Sequence, residues 1–160
     1  EHGPDGGDEI NVIDFVNKDN IPNYGWPISS YGNHYYQEKN DIRLELSPLE
    51  KSHIKNGFIE PIKYFVPSVG ISQIVGVPKK FANSDNLNFI VGTMGTAKKM
   101  KEGMLSLYFF EFDNSNNKII NEKLIPIKSR VRDIMYLSKH NSVVMFLETN
   151  STIGILKQKN

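Results

Sequence analysis

The chain has 160 residues, 39% hydrophobic and 23% charged, which is enough for one ordinary domain with a sizeable core. Its 19 basic and 18 acidic side chains leave a formal net charge of +1, so the balance points to neither nucleic acid nor an anionic membrane as partner. Cysteine is absent, which removes disulfides, thiolate metal sites and cysteine nucleophiles together, and no apolar run approaches the roughly 20 residues that a membrane helix needs.

The opening run is Glu1-His2-Gly3-Pro4-Asp5-Gly6-Gly7-Asp8-Glu9-Ile10-Asn11. Its acidic side chains supply oxygen ligands, and its glycines let the backbone bend until carbonyls point inward, as a hard cation such as calcium requires. On side-chain pattern alone an acidic turn before a strand explains it as well, since the spacing is not that of an EF-hand. A chain that opens inside a motif reads as a piece of a longer protein. A leader peptide would lie outside it, and location is not legible.

Short β-branched and aromatic runs then recur at residues 10–14, 60–66, 71–77, 88–94, 104–113, 118–127, 131–138, 142–148 and 152–157, with polar turn clusters between the later ones. The pattern predicts an all-β meander. Residues 47–55 alone have a helical character, with Ser47 as cap, Pro48 at the first helical position and Glu50 three residues beyond Ser47, and are expected to form an excursion from the sheets. Strands this short and regular fit a sandwich, a barrel or a propeller. At about 40 to 50 residues per propeller blade the chain would hold three to four blades, and a six-bladed ring would need more than roughly 240 residues.

Only three arginines occur, and two share the tripeptide Arg130-Val131-Arg132. Residues two apart on a strand face the same side, so the pair predicts a planar multi-donor site for carboxylate or phosphate, the alternative being a cross-strand salt bridge to Asp133 or Glu148. Lys98, Lys99 and Lys101 lie between two predicted strands, where one of them could add a point charge to the same anion. The histidines, His2, His34, His53 and His140, lack metal-ligand spacing to one another, so no zinc site is expected. No nucleophile elbow, phosphate loop or dinucleotide fingerprint is present. Tyr24, Trp26, Tyr31, Tyr35 and Tyr36 crowd a Gly- and Pro-rich stretch, which suits either a carbohydrate or planar-cofactor site or simple loop packing.

Taken in order, the opening motif, Asn23-Tyr24-Gly25-Trp26-Pro27, Glu60-Pro61, Pro67-Ser68-Val69 and Ser129-Arg130-Val131-Arg132-Asp133 resemble the glucose/sorbosone dehydrogenase family over nearly the whole chain. The resemblance implies a six-bladed β-propeller in the parent protein, of which residues 1–160 form the C-terminal part of a single domain with no second domain. It implies a sugar dehydrogenase dependent on pyrroloquinoline quinone, with the carbonyls of Gly3 and Pro4 holding the calcium that bridges to the quinone. Glu9 and the carbonyl of Tyr24 would bind a second, structural calcium. Arg130, Arg132 and a lysine, Lys101 by preference, would contact the cofactor.

A small sugar substrate and a periplasmic or extracellular location follow from the same resemblance, while the electron acceptor does not. The family's catalytic histidine falls upstream of this chain, so none of the four histidines here takes that role, and the chain alone is expected to be inactive. The sequence departs from the family where Gly70-Ile71-Ser72-Gln73 follows Pro67-Ser68-Val69 and where Val66 precedes the proline. That departure keeps open a non-catalytic, calcium-stabilised propeller that binds a sugar or an anion.

Overall fold

The computed structural model describes residues 1–13, 21–35, 41–95 and 103–158, which fall into two compact units, Glu1–Ser68 and Val69–Asn160. Regular structure in the second unit is almost entirely antiparallel strand, in sheets that follow chain order. Strands β3 (Ile71–Val77), β4 (Leu87–Thr93), β5 (Ser106–Asp113) and β6 (Lys118–Pro126) form one four-stranded meander. Strands β7 (Val131–Leu137), β8 (Ser142–Leu147) and β9 (Thr152–Lys157) form a three-stranded one. The runs read from the sequence therefore all become strands here, with bounds that differ by no more than a residue or two at either end.

Local chemistry explains the turns. Asp113 closes the β5–β6 hairpin by accepting hydrogen bonds from the backbone of Ser115 and Asn116 at 2.9 and 3.2 Å. Asn117 and Asn141 then take the left-handed backbone conformation that asparagine tolerates best after glycine. The two sheets meet through a core of Val77, Phe81, Ile90, Leu107, Val131, Ile134, Val143 and Met145. Alternation along each strand delivers these residues to one face.

The first unit is built differently. Its only paired strands among the described residues are short, β1 (Asp8–Ile10) against β2 (Lys63–Phe65), with Asp8 opposite Phe65 and Glu9 opposite Tyr64. The strand expected at 10–14 thus begins earlier, inside the acidic motif, because its partner lies more than fifty residues away and sets the register. The segment at 47–55 is the expected excursion from the sheets, and its helical signal is not taken up at Ser47. A single turn, α1 (Ile42–Leu46), precedes it, capped by the Asp41 carboxylate on the Arg43 N–H at 3.0 Å, and Ser47 ends that turn instead of starting one.

Leu49 has a left-handed backbone, and Glu50 pairs with the 28–30 segment through Glu50 N–H to the Ile28 carbonyl and Ser30 N–H to the Glu50 carbonyl, at 2.8 and 3.0 Å. That tertiary pairing overrides the local capping signal. A second one-turn helix, α2 (Lys79–Ala82), follows Pro78 and contributes Phe81 to the core. Among the described residues, no helix is long and apolar enough to cross a membrane.

Candidate functional site

The opening motif is a tight loop tied down by its own acids. Gly3 N–H donates to Asp8 Oδ1 at 3.1 Å, and Ser68 Oγ donates to Asp8 Oδ2 at 2.6 Å, leaving Asp8 fully buried. A side chain at Gly3 would place its Cβ 2.2 Å from the Gly6 carbonyl oxygen, and one at Gly7 would sit 2.3 Å from the backbone nitrogen of Gly32. Neither approach is possible for any other residue, so these glycines are fixed by backbone packing as well as by the positive φ at Gly7. The acidity of the loop therefore serves its shape, and its inward-bent backbone is the feature that could present carbonyl oxygens.

Beside this loop lies a cavity of about 340 Å3 lined by His2, Gly3, Pro4, Trp26, His34 and Tyr35, with Arg43, Ser47 and Leu49 completing the wall. Trp26 and Tyr35 are more than half exposed, at 51% and 61%. Large rings left uncovered around a recess offer flat apolar faces to a sugar or a planar ligand. The crowded aromatics thus divide: Tyr31 instead stacks on Tyr64, with centroids 3.8 Å apart, and Tyr24 donates its hydroxyl to the Val12 carbonyl at 2.9 Å. Tyr36 lies outside the described residues.

Glu9 lies inside the first unit, 3% exposed. Burial pushes its carboxyl up to about 7, an effect only partly offset by the Asn11 side-chain amide 3.5 Å from Oε2. A carboxylate in that position is stabilised by a cation. The neighbouring Asn11 Oδ1 is itself buried without a hydrogen-bond partner, which is how a site for a bound ion or water looks in the protein alone. The residues present therefore fit a divalent cation at Glu9. Among the described residues, no three His, Asp or Glu side chains converge on one point, so such an ion would draw on main-chain oxygen as well.

Sequence reasoning missed His53 and the role of Glu60. His53 is fully buried, with Nε2 3.4 Å from Glu9 Oε1 and Nδ1 3.7 Å from Glu60 Oε2. Glu60 accepts from the Tyr31 hydroxyl at 2.7 Å and from the backbone N–H groups of His53 and Ile54 at 2.9 and 3.1 Å. Burial opposes its charge, yet these donors outweigh burial and hold Glu60 below the usual carboxylate range. Burial, then the bond to Glu60, pushes the Tyr31 phenol above its ordinary value, so Tyr31 remains a donor. The available signal was Gly25 between two aromatics, since a Cβ there would lie 2.6 Å from the His53 ring.

The arginine pair is brought together by one carboxylate. Arg130 lies just before β7 and Arg132 within it at a register shift, and their Nε atoms reach the same oxygen, Glu148 Oε2, at 3.3 and 2.9 Å. Arg130 also donates to the Met94 carbonyl at 3.2 Å. Arg132, then Arg130, holds Glu148 below its ordinary range. Of the two salt-bridge partners considered from sequence, Glu148 takes the role, while Asp133 accepts from the backbone N–H of Ile134. Lys98, Lys99 and Lys101 lie outside the described residues.

Comparison with known proteins then decides the family. The family model "Glucose / Sorbosone dehydrogenase" matches residues 1–157. The chain belongs to the glucose/sorbosone dehydrogenase family. It is 28% identical over 134 residues to protein slr1608 of Synechocystis sp., covering 84% of this chain and 27% of that protein. It is 35% identical over 85 residues to aldose sugar dehydrogenase YliI of Escherichia coli, covering 53% of this chain and 18% of that one. The crystal structure of the soluble aldose sugar dehydrogenase from E. coli in its apo-form matches 99% of the chain with a TM-score of 0.69 at 21% identity, and the chain covers 40% of it. The meandering sheets are thus those of a β-propeller. The chain spans about a quarter or less of the length of these curated relatives.

Proposed function

We propose that the protein carrying this chain is a quinone-dependent sugar dehydrogenase that oxidises an aldose at its anomeric carbon to a lactone. Pyrroloquinoline quinone is the hydride acceptor we assign to it, and a calcium ion on the quinone would polarise the carbonyl that accepts the hydride. The observation that carries this reading is that Gly3 and Pro4 of the family's opening motif line one cavity with the exposed rings of Trp26 and Tyr35. That wall sets the Gly3–Pro4 backbone beside flat apolar surface.

Each residue then has a task of its own. Gly3 and Pro4 would offer carbonyls to the cation, held in place by the Gly3–Asp8–Ser68 hydrogen bonds. Trp26 and Tyr35 would exclude water from a ligand face. Arg130 and Arg132, oriented by Glu148, would bind cofactor carboxylates through a charge-assisted fork, and a lysine among Lys98, Lys99 and Lys101 would add a point charge. Glu9 and the Tyr24 carbonyl would hold a second cation that stabilises the fold. The proton leaving the sugar hydroxyl needs a base that we place upstream of this chain, and a periplasmic or extracellular location belongs to the same proposal.

The test is titration of the full-length apo-protein with pyrroloquinoline quinone and calcium, followed by reduction of an artificial electron acceptor on adding aldoses. Saturable cofactor binding and aldose-dependent reduction are expected. Cofactor binding without turnover of any aldose would favour a non-catalytic propeller, and no binding at all would remove the quinone.

A further inference from the structure

Neither ring nitrogen of His53 makes a hydrogen bond, although the side chain is fully buried. Buried polar atoms in a native fold normally have a partner, and where the protein supplies none, a water or an ion is the usual one. Nε2 faces the buried Glu9 carboxylate across 3.4 Å. Two ligands bound side by side to one divalent ion, each about 2.0 to 2.3 Å from it, stand roughly 3 Å apart. A dry imidazole nitrogen and a desolvated carboxylate oxygen at this separation therefore have the spacing of adjacent ligands.

The other side of the ring completes the pattern. Nδ1 points toward Glu60, 3.7 Å away, and Glu60 is held by Tyr31 and by two backbone N–H groups. A carboxylate that takes a hydrogen bond from the non-ligating nitrogen is the usual means of setting the tautomer and orientation of a metal-binding histidine, and at 3.7 Å Glu60 is placed to take that bond once the ring shifts onto an ion. Gly25 packs against the same ring, and a Cβ there would be 3.1 Å from Nε2, which sets the backbone of the residue after Tyr24 beside the ligating edge.

We infer that His53 Nε2 is itself a ligand of the cation held by Glu9 and the Tyr24 carbonyl, with Glu60 orienting the imidazole. The nitrogen shifts this site from calcium, which takes oxygen ligands, toward a borderline divalent cation such as zinc. The inference rests on the reading that Glu9 binds a cation, and the experiment separates the two.

Full-length protein stripped with a chelator is melted with calcium alone and with zinc alone, for the unsubstituted protein, His53→Gln and Glu9→Gln. In the unsubstituted protein, zinc raises the melting temperature at a free concentration about tenfold or more below that needed for calcium. His53→Gln weakens zinc by at least about tenfold, the smallest loss expected even for a residue behind a ligand, and leaves calcium within about twofold. Pulsed EPR of the manganese-loaded unsubstituted protein shows nitrogen coupling from a bound imidazole, a readout independent of how any variant folds.

Calcium preferred equally in the unsubstituted protein and His53→Gln, or manganese bound without nitrogen coupling, overturns the His53 assignment and leaves the Glu9 site standing. No response to any divalent ion, in the unsubstituted protein as in Glu9→Gln, removes the Glu9 site and the inference with it.

Discussion

The two units of the chain solve the problem of burial in opposite ways. Val69–Asn160 buries apolar faces of consecutive strands, with Ile90, Leu107, Val131 and Val143 at the centre and no buried acid or histidine among the described residues. Glu1–Ser68 buries charge and polarity instead: Asp8, Glu9 and His53 are each no more than 3% exposed, and Ser29 and Ser30 are buried with them. An apolar core tolerates neighbours of similar shape. A buried polar cluster holds only while every partner is present, because an unpaired polar group pays the full desolvation penalty. The family's specific motifs all fall where burial is polar, apart from the arginines on the edge of the second unit.

The largest effect should come from a cavity in the apolar unit. Leu107→Ala removes a fully buried side chain at the centre of that core and is expected to cost about 3 kcal/mol in denaturant unfolding of the full-length protein, with or without divalent cations. A cost that changed with cation would break the separation between the units. Stripping divalent cations should act on the polar unit in the complementary way. Restoring a cation to one hundred times its dissociation constant should regain about 2.7 kcal/mol, read as a rise in melting temperature that Glu9→Gln lacks.

Arg132→Lys comes next, and it sharpens the comparison because it touches ligand binding rather than folding. Lysine keeps the charge but not the fork, so affinity for pyrroloquinoline quinone is expected to fall by about 2 kcal/mol with little change in melting temperature. An unchanged titration would leave these arginines as a clamp on Glu148 alone. Smallest is the acid response of Glu148. Its pKa is lower in the folded than in the unfolded state, so its contribution to stability is complete above the unfolded value and is lost as pH falls through the folded one. Glu148→Gln should therefore flatten the loss of stability on acidification below about pH 4.5 without affecting stability trends near neutrality.

The second unit was readable in the sequence because its determinants are local. A run such as residues 106–113 alternates inward and outward side chains, Asp113 closes its own turn, and its partners β4 and β6 are its sequence neighbours. In the first unit the partners are distant. β1 waits for β2, the 28–30 segment waits for Glu50, and the cap signal at Ser47 is overruled by that pairing. The acidic residues of the opening motif also differ from one another, since Asp8 ties the loop to Ser68 whereas burial raises the Glu9 carboxyl.

From residue pattern alone the all-β class, the strands of the second unit, the glycine loop and the pairing of Arg130 with Arg132 were determined, and the motif order was enough to point to the family. Tertiary structure alone decided that one carboxylate, Glu148, gathers both arginines, that Trp26 and Tyr35 rather than Tyr31 face the cavity beside Gly3 and Pro4, and that His53 stands between Glu9 and Glu60. The physical reason is the range of the interactions. Strand alternation and turn chemistry act over a few residues and leave a periodic trace, whereas a buried histidine contacting residues 44 positions before it and 7 after it leaves none until the chain has closed around it.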